Sequence, residues 1–302
     1  MIDRARFNYF LYRSARKMLN GSRGLVPGPL VPHLRYLGSE LTIGITTYHE
    51  RYEKLFRPLF KRLRAWFPEV SLLIAANGNH DQALQQTYLK RLEQELGPHM
   101  GADGYFLLHD RPVGLAMMWN EILRLSPTST TLILNDDLCL TPWFRRWVER
   151  IPWNQIDLCF INSTWSHFAI SRALITMVGA FDTAFSGIGF EDMDYDARVH
   201  LAGMKPFSIL CPFIRHLDHQ PQRTSFDDVS GRTWGKYTTA NEAYFHSKWQ
   251  PSNASCDPWI RQLANRVKPR NELPPPLPLQ PVLGARHGCF IYPDRSSAEV
   301  VI

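Results

Sequence analysis

Residues 179–205 read GAFDTAFSGIGFEDMDYDARVHLAGMK, and the rest of the chain is organised around this stretch. It opens with small and aromatic residues and two glycines, reaches the adjacent carboxylates Glu191 and Asp192, and then takes on helical spacing. Ala197 and Leu201 stand four apart and share a face, while Gly203 followed by Pro206 stops the helix. The acids therefore fall at a helix start. Carboxylates there have a purely structural use, since they satisfy free backbone N–H groups and complement the helix dipole. A chemical use needs a second element.

That element lies upstream, at Thr130-Thr-Leu-Ile-Leu-Asn-Asp-Asp-Leu138. An apolar, β-rich run ending abruptly in Asn135, Asp136 and Asp137 is a buried strand that delivers carboxylates at its C-terminal edge. That edge is where α/β sheets bind ligands. Adjacent anions repel unless a cation or hydrogen-bond donors offset them, and hard ions such as Mg²⁺ or Mn²⁺ favour oxygen ligands of this kind. A metal carrying a diphosphate suits such an edge.

Together the two elements resemble the GT-A glycosyltransferases, in particular the inverting family 2 group. In that family a strand ends in an Asp-x-Asp-like cluster, matched here by Leu134-Asn-Asp-Asp137. A later segment of the form G-x-F-D-x-x-F, then E-D-x-D and a short helix ending near A-G, carries the catalytic base. Its counterparts are Gly179-Ala-Phe-Asp182-Thr-Ala-Phe185, Glu191-Asp-Met-Asp194 and Ala202-Gly203. The resemblance spans Leu41 to His219 and implies an α/β fold of GT-A type, a Rossmann-like mixed but mostly parallel sheet flanked by helices. It further implies an inverting, metal-dependent glycosyltransferase, with a nucleotide-diphosphate sugar as donor, a hydroxyl of a glycan or glycolipid as acceptor, and Mn²⁺ or Mg²⁺ as cofactor. It places the base at Asp192, leaves Glu191 to orient the acceptor or the loop, and puts the metal on Asp137 with Asp136 as helper. Asn135, where the family usually has an aspartate, can hydrogen-bond ribose or phosphate. A histidine beyond the base helix completes the metal site in several relatives. His216, 24 residues beyond Asp192, is the candidate and His219 its competitor, with a plain loop histidine as the third reading.

The 302 residues suffice for one large α/β domain with extensions or for two small ones. With 44% hydrophobic residues and no apolar run near the roughly 18 residues of a membrane span, a soluble protein is expected. A net charge of +6 suits nucleotide diphosphates or an anionic membrane surface and is too mild to imply nucleic-acid binding. The five cysteines lack any C-x-x-C spacing, which argues against a disulfide framework or a zinc site and for a reducing cytoplasm. Basic residues interrupt the N-terminal apolar positions, so no secretory signal is read there.

In chain order, residues 1–36 comprise a basic amphipathic helix over 1–24 and a Pro and Gly linker. The helix suits either peripheral contact with an anionic membrane or packing on the protein's own domain. The catalytic domain is expected over 37–219. Its first strand is Leu41–Thr47, followed by Tyr48-His-Glu-Arg51 and a helix over Tyr52–Trp66; the second is Val70–Ala76, leading into Asn77-Gly-Asn-His-Asp81. Through the resemblance, Thr47, Tyr48, Glu50 and Asn77 fall at nucleotide-site positions. On sequence alone, Asn77-Gly78 reads first as an ordinary turn. Phe106–Leu108 is a third strand, and Arg111 in the loop after it could meet the diphosphate through its guanidinium fork or stay solvated. Gly114 and Asn120 match the family's G-x-x-x-x-x-N spacing. Further strands are read at Leu158–Ile161, Phe168–Ser171 and Phe207–Cys211. Residues 220–302 form a C-terminal extension, with a helix in the second half of Arg232–Trp249 that could cover the acceptor or face a membrane, and a Pro-rich tail.

Two other functions compete. A catalytically inactive carbohydrate-binding or scaffold protein of the same fold would keep the residues without turnover. A sugar nucleotidyltransferase would need a Gly-rich basic phosphate loop after the first strand, and Thr46-Thr-Tyr-His-Glu50 is neither.

Overall fold

Leu41–Thr47 forms strand β1 with all seven residues buried, the pattern of a strand covered on both faces. The computed structural model describes residues 35–101, 103–217, 238–249, 277–279 and 284–296. The helix and linker expected over residues 1–36, His219 and most of 220–302 lie outside them, so only Arg35 and Tyr36 represent the linker. Strands β2 (Ser71–Ala76), β3 (Tyr105–Leu108) and β4 (Thr130–Asn135) share the buried character of β1. Parallel pairing sets β2 on one side of β1 and β4 on the other, with β3 beyond β2. Parallel neighbours need crossovers. Helices α1 (Arg57–Trp66), α2 (Gln82–Arg91) and α3 (Leu115–Leu125) lie on those connections.

Beyond β4 the direction changes. β7 (Thr164–Ser171) runs antiparallel to β4, β6 (Leu158–Ile161) antiparallel to β7, and β8 (Phe207–Ile209) parallel to β6. At the other edge β11 (Phe290–Tyr292) pairs in parallel with β3, and β10 (Ala285–His287) folds back on β11. The result is a nine-stranded sheet in the order β10-β11-β3-β2-β1-β4-β7-β6-β8, mixed and mostly parallel, with a separate ribbon of β5 (Leu138–Leu140) and β9 (Ile214–His216). A mixed, mostly parallel sheet flanked by helices is the α/β arrangement that the resemblance implies. It also draws in residues 285–292, from the stretch read as a C-terminal extension. Helices α4 (Trp143–Glu149), α5 (Arg172–Val178), α6 (Glu191–Leu201) and α7 (Thr238–Trp249) complete the described elements. Among the described residues no helix is long and apolar enough to cross a membrane.

Each face of the sheet carries its own core. Ile43, Leu72, Ile74, Phe56, Phe60 and Phe106 share one, with the Phe60 and Phe106 rings stacked at 5.9 Å. Leu73, Ile133, Trp119, Phe168, Phe181 and Tyr195 share the other. There Gly44 brings α3 close: a Cβ on it would lie 2.4 Å from the Ile122 side chain, so any larger residue would push the helix off β1. The helix expected over Tyr52–Trp66 divides, because Pro58 has no N–H to give to the turn before it; Tyr52–Phe56 forms a wider turn and α1 begins at Arg57.

Candidate active site

The strand order reverses between β1 and β4, and their C-terminal ends lie side by side, with Thr46 in register with Asn135. Two buried carboxylates, Asp136 and Asp137, follow directly. The chain then enters β5, where Leu138 pairs with His216 of β9 and Leu217 N–H donates to the Asp137 carbonyl at 2.8 Å. That register carries His216 to the acidic edge, its Nδ1 3.3 Å from Asp137 Oδ1.

A cation from the chain itself also meets this edge. Arg51, one turn beyond β1, donates through Nη1 to Asp136 Oδ1 at 2.7 Å and lies 3.5 Å from Asp137 Oδ2. Its Nε donates to the Tyr48 hydroxyl at 2.9 Å. Burial pushes the Asp136 carboxyl up to about 6, with Arg51 pulling the other way and Asp137 adding a smaller push. Burial likewise raises the Tyr48 phenol to about 12. Sequence reading overlooked Arg51, since nothing local announces a partner 85 residues away.

The remaining nucleotide-site candidates differ in their freedom to meet a ligand. Thr47 is buried at the end of β1, Asn135 is half-buried, and Glu50 is exposed. Asn77 is buried and holds the loop after β3: its Nδ2 donates to the Val113 carbonyl at 3.0 Å while Oδ1 accepts from Val113 N–H at 2.8 Å. Arg111 is exposed, and its backbone lies so close to Gly78 that a Cβ there would meet it at 2.2 Å. The Asn77-Gly78 turn thus seats the Arg111 loop.

The 179–190 loop is held to the same edge by α3. Asn120 closes a two-bond clamp on Phe181, donating to its carbonyl and accepting from its N–H, both at 2.8 Å. Leu115 N–H donates to the Gly187 carbonyl at 2.8 Å, and a Cβ on Gly114 would lie 2.9 Å from the Phe185 carbonyl. The family-like spacing of Gly114 and Asn120 therefore has a physical basis in this loop. On its far side Asn241 of α7 binds Ser186 and Gly189, and Lys248 reaches Asp182 at 2.6 Å and Asp194 at 2.7 Å.

The loop ends in positive-φ backbone, with Gly187 at φ 61° and Gly189 at φ 121°, which glycine adopts freely, and Phe190, a non-glycine strained by it, at φ 71°. Packing of the Phe190 ring against Phe245 at 5.6 Å holds that turn, and α6 starts at once with Glu191. Glu191 is buried and accepts from Gly189 N–H at 2.6 Å, whereas Asp192 keeps part of its surface open and accepts from Met193 N–H at 2.8 Å. Burial pushes both carboxyls upward, Glu191 further under the charge of Asp192. Asp194 has no such freedom: it is fully buried and accepts from Arg198, Trp249 and Lys248.

The chemistry of the Asp136, Asp137 and His216 set fits a divalent cation. Asp136 Oδ2 is buried without a hydrogen-bond partner, which leaves an anionic oxygen for a ligand. Yet among the described residues no three His, Cys, Asp or Glu side chains already stand at coordinating positions. Binding would need side-chain adjustment, with Arg51 giving ground.

No protein-family model and no curated protein matches the chain. Solved structures do. The chain is similar to the mannosyltransferase PcManGT of Pyrobaculum calidifontis, in complex with GDP-Man and Mn²⁺, at TM-score 0.45 and 14% identity over 85% of this chain and 81% of that one. The catalytic domain of Drosophila beta1,4galactosyltransferase 7, in complex with xylobiose, gives TM-score 0.37 and 11% identity over 78% and 83%. Glucosyl-3-phosphoglycerate synthase of Mycobacterium tuberculosis, in complex with Mn²⁺, UDP-glucose and phosphoglyceric acid, gives TM-score 0.38 and 12% identity over 68% and 82%.

Proposed function

We propose that this protein is an inverting, metal-dependent glycosyltransferase that moves a sugar from a nucleotide-diphosphate donor to a hydroxyl of a glycan or glycolipid. The observation that carries the reading is the buried Asp136–Asp137 pair, faced by His216 and Arg51, at the sheet edge where the strand order reverses. The loop bearing Glu191 and Asp192 is fastened to that same edge through Gly187 and α3.

Asp136, Asp137 and His216 would hold the cation, Mn²⁺ or Mg²⁺, whose chemistry is to offset charge gathering on the leaving diphosphate. Thr47, Tyr48, Glu50, Asn77, Arg111 and Asn135 border the nucleotide side, with Asn77 acting through the loop it seats. Asp192 takes the acceptor's hydroxyl proton while that oxygen bonds to the anomeric carbon; the carbon–oxygen bond to the diphosphate breaks, and the configuration inverts. Partial exposure lets Asp192 reach an acceptor. Glu191, buried and bonded to Gly189, shapes the turn that presents its neighbour.

Release of nucleoside diphosphate from a panel of nucleotide sugars, with Mn²⁺ present, tests this directly. One donor should be turned over slowly by water alone, and Asp137→Ala should abolish the release. Thermal shift against the same panel identifies the donor, because a ligand of the folded state raises stability by mass action. A donor that binds without ever being cleaved, with any acceptor supplied, would instead make the protein a binding module.

A further inference from the structure

We infer that His167 is a further ligand of the cation site, which makes it a two-imidazole site selective for a nitrogen-tolerant ion such as Mn²⁺ or Co²⁺ over Mg²⁺. The inference rests on the metal reading above. His167 lies on β7, in antiparallel register with Leu134 of β4, just before the acidic edge. Only 1% of the residue is exposed, and neither ring nitrogen has a hydrogen-bond partner. Its strand neighbour Ser166 offers backbone polarity to the ring without a well-formed hydrogen bond.

Leaving a buried polar group unsatisfied costs about 1–3 kcal/mol, and such a group in a folded protein calls for a ligand, an ion or a functional use. The direction His167 faces supplies one. Its ring centroid is 5.0 Å from that of His216, the planes tilted by 43°, and His216 Nδ1 in turn lies 3.3 Å from Asp137 Oδ1. With metal–nitrogen bonds of about 2.1 Å, two imidazoles on adjacent positions of one ion also stand roughly 5 Å apart, centroid to centroid. The separation of the two rings is therefore the one that sharing an ion would require, with His216 already beside Asp137.

Nitrogen donors favour Mn²⁺ and still more Co²⁺, whereas Mg²⁺ prefers oxygen and water. A site of carboxylates alone would take Mg²⁺ comparatively well. A second imidazole shifts the balance toward the transition ions.

The test is equilibrium binding of each metal alone to the full chain, without nucleotide sugar: Mn²⁺ by the loss of its free-ion EPR signal, Co²⁺ by visible absorption, Mg²⁺ by competition. His167→Phe keeps a ring of similar bulk and removes both nitrogens, and His167→Gln serves if that variant folds poorly. The variant should lose about tenfold or more in Mn²⁺ affinity, and its Co²⁺ spectrum should change, while Mg²⁺ affinity holds. Equal losses for Mn²⁺ and Mg²⁺ would reduce His167 to a packing residue and overturn the proposal. So would an unchanged Mn²⁺ titration and Co²⁺ spectrum, with the cation at Asp136 and Asp137 left standing. If the wild type binds no divalent ion and matches Asp137→Ala, the metal reading and this inference fall together.

Discussion

Arg51 donates to Asp136 across 2.7 Å, so the loop after the first strand supplies positive charge to the acidic end of the fourth. The two side chains are 12% and 2% exposed, which places the pair among buried ion pairs whose rupture strands a charge. Removing one partner of such a pair typically costs about 3–5 kcal/mol.

Arg51→Ala should therefore lower unfolding stability by about 3 kcal/mol or more at pH 8. The deficit should depend on pH in a defined direction. Asp136 already has its carboxyl raised to about 6, above the unfolded range, and loss of Arg51 raises it further. A raised folded-state value contributes stability at low pH that is lost as pH climbs through it. Urea unfolding at pH 8 and pH 5 should show the gap between variant and wild type narrowing at the lower pH. Mn²⁺ should also stabilise the variant more than the wild type, because the guanidinium no longer competes for the carboxylates. A pH-independent deficit with no metal rescue would mean that Arg51 acts only through Tyr48.

Asp192→Asn should lower turnover by about 10²-fold or more with donor affinity nearly unchanged, the signature of a lost base. Glu191→Gln should be much milder. Burial pushes Glu191 upward, and a glutamine keeps the shape and the carbonyl that can accept from Gly189 N–H. Steady-state kinetics on both variants decides the assignment; a larger loss in Glu191→Gln would reverse the two roles.

Which parts of this arrangement were legible in the sequence follows from how local their causes are. Leu41–Thr47, Val70–Ala76 and Thr130–Asn135 announce themselves because buried parallel strands are continuous apolar or β-branched runs, and the abrupt Asn135-Asp-Asp137 end marks the ligand edge. Each three-residue strand of the β5–β9 ribbon and the β10–β11 hairpin is too short to show a period, and each is defined by partners far away in the chain. His167 was missed for a related reason. The apolar run predicts a strand from Phe168, but it starts at Thr164 in the more polar Thr-Trp-Ser-His, so the histidine falls outside. Arg51 resembles any loop arginine until the sheet brings β1 and β4 together.

Asp194 belongs to the same acidic run as Asp192, yet its environment gives it another job. One carboxylate serves Arg198 at 2.9 Å, Trp249 Nε1 at 2.8 Å and Lys248 at 2.7 Å, tying α6 to α7. Asp194→Ala strands a buried guanidinium and should cost about 3–5 kcal/mol. Assayed well below its melting temperature, the variant should retain far more turnover than Asp192→Asn. A kinetic loss matching that of Asp192→Asn, with stability intact, would move Asp194 into the chemistry.

A buried histidine away from the Asp136–Asp137 edge links α3 to the residues after β11. His109 ends the loop step after β3, fully buried, with Nε2 2.8 Å from Glu121 of α3 and Nδ1 3.6 Å from Asp294 beyond β11. Burial disfavours its charge, but Asp294 and Glu121 outweigh that and raise it to about 9, so the ring is protonated at neutral pH and joins the C-terminal hairpin to the Arg111 loop. Its folded value lies above the unfolded one of about 6.5, so the stabilisation is complete below that pH and is lost as pH rises toward 9. Stability by urea unfolding should accordingly decline between pH 7 and about 9.5. Asp294→Asn removes one of the two anions and should flatten that decline, with the variant less stable than wild type at pH 7 and nearly equal to it at the alkaline end. Asp110, paired with Arg295 at 2.6 Å, still anchors the hairpin in the variant, so the comparison reads the histidine rather than loss of the strand. Parallel pH curves for the two proteins would show that His109 is neutral throughout.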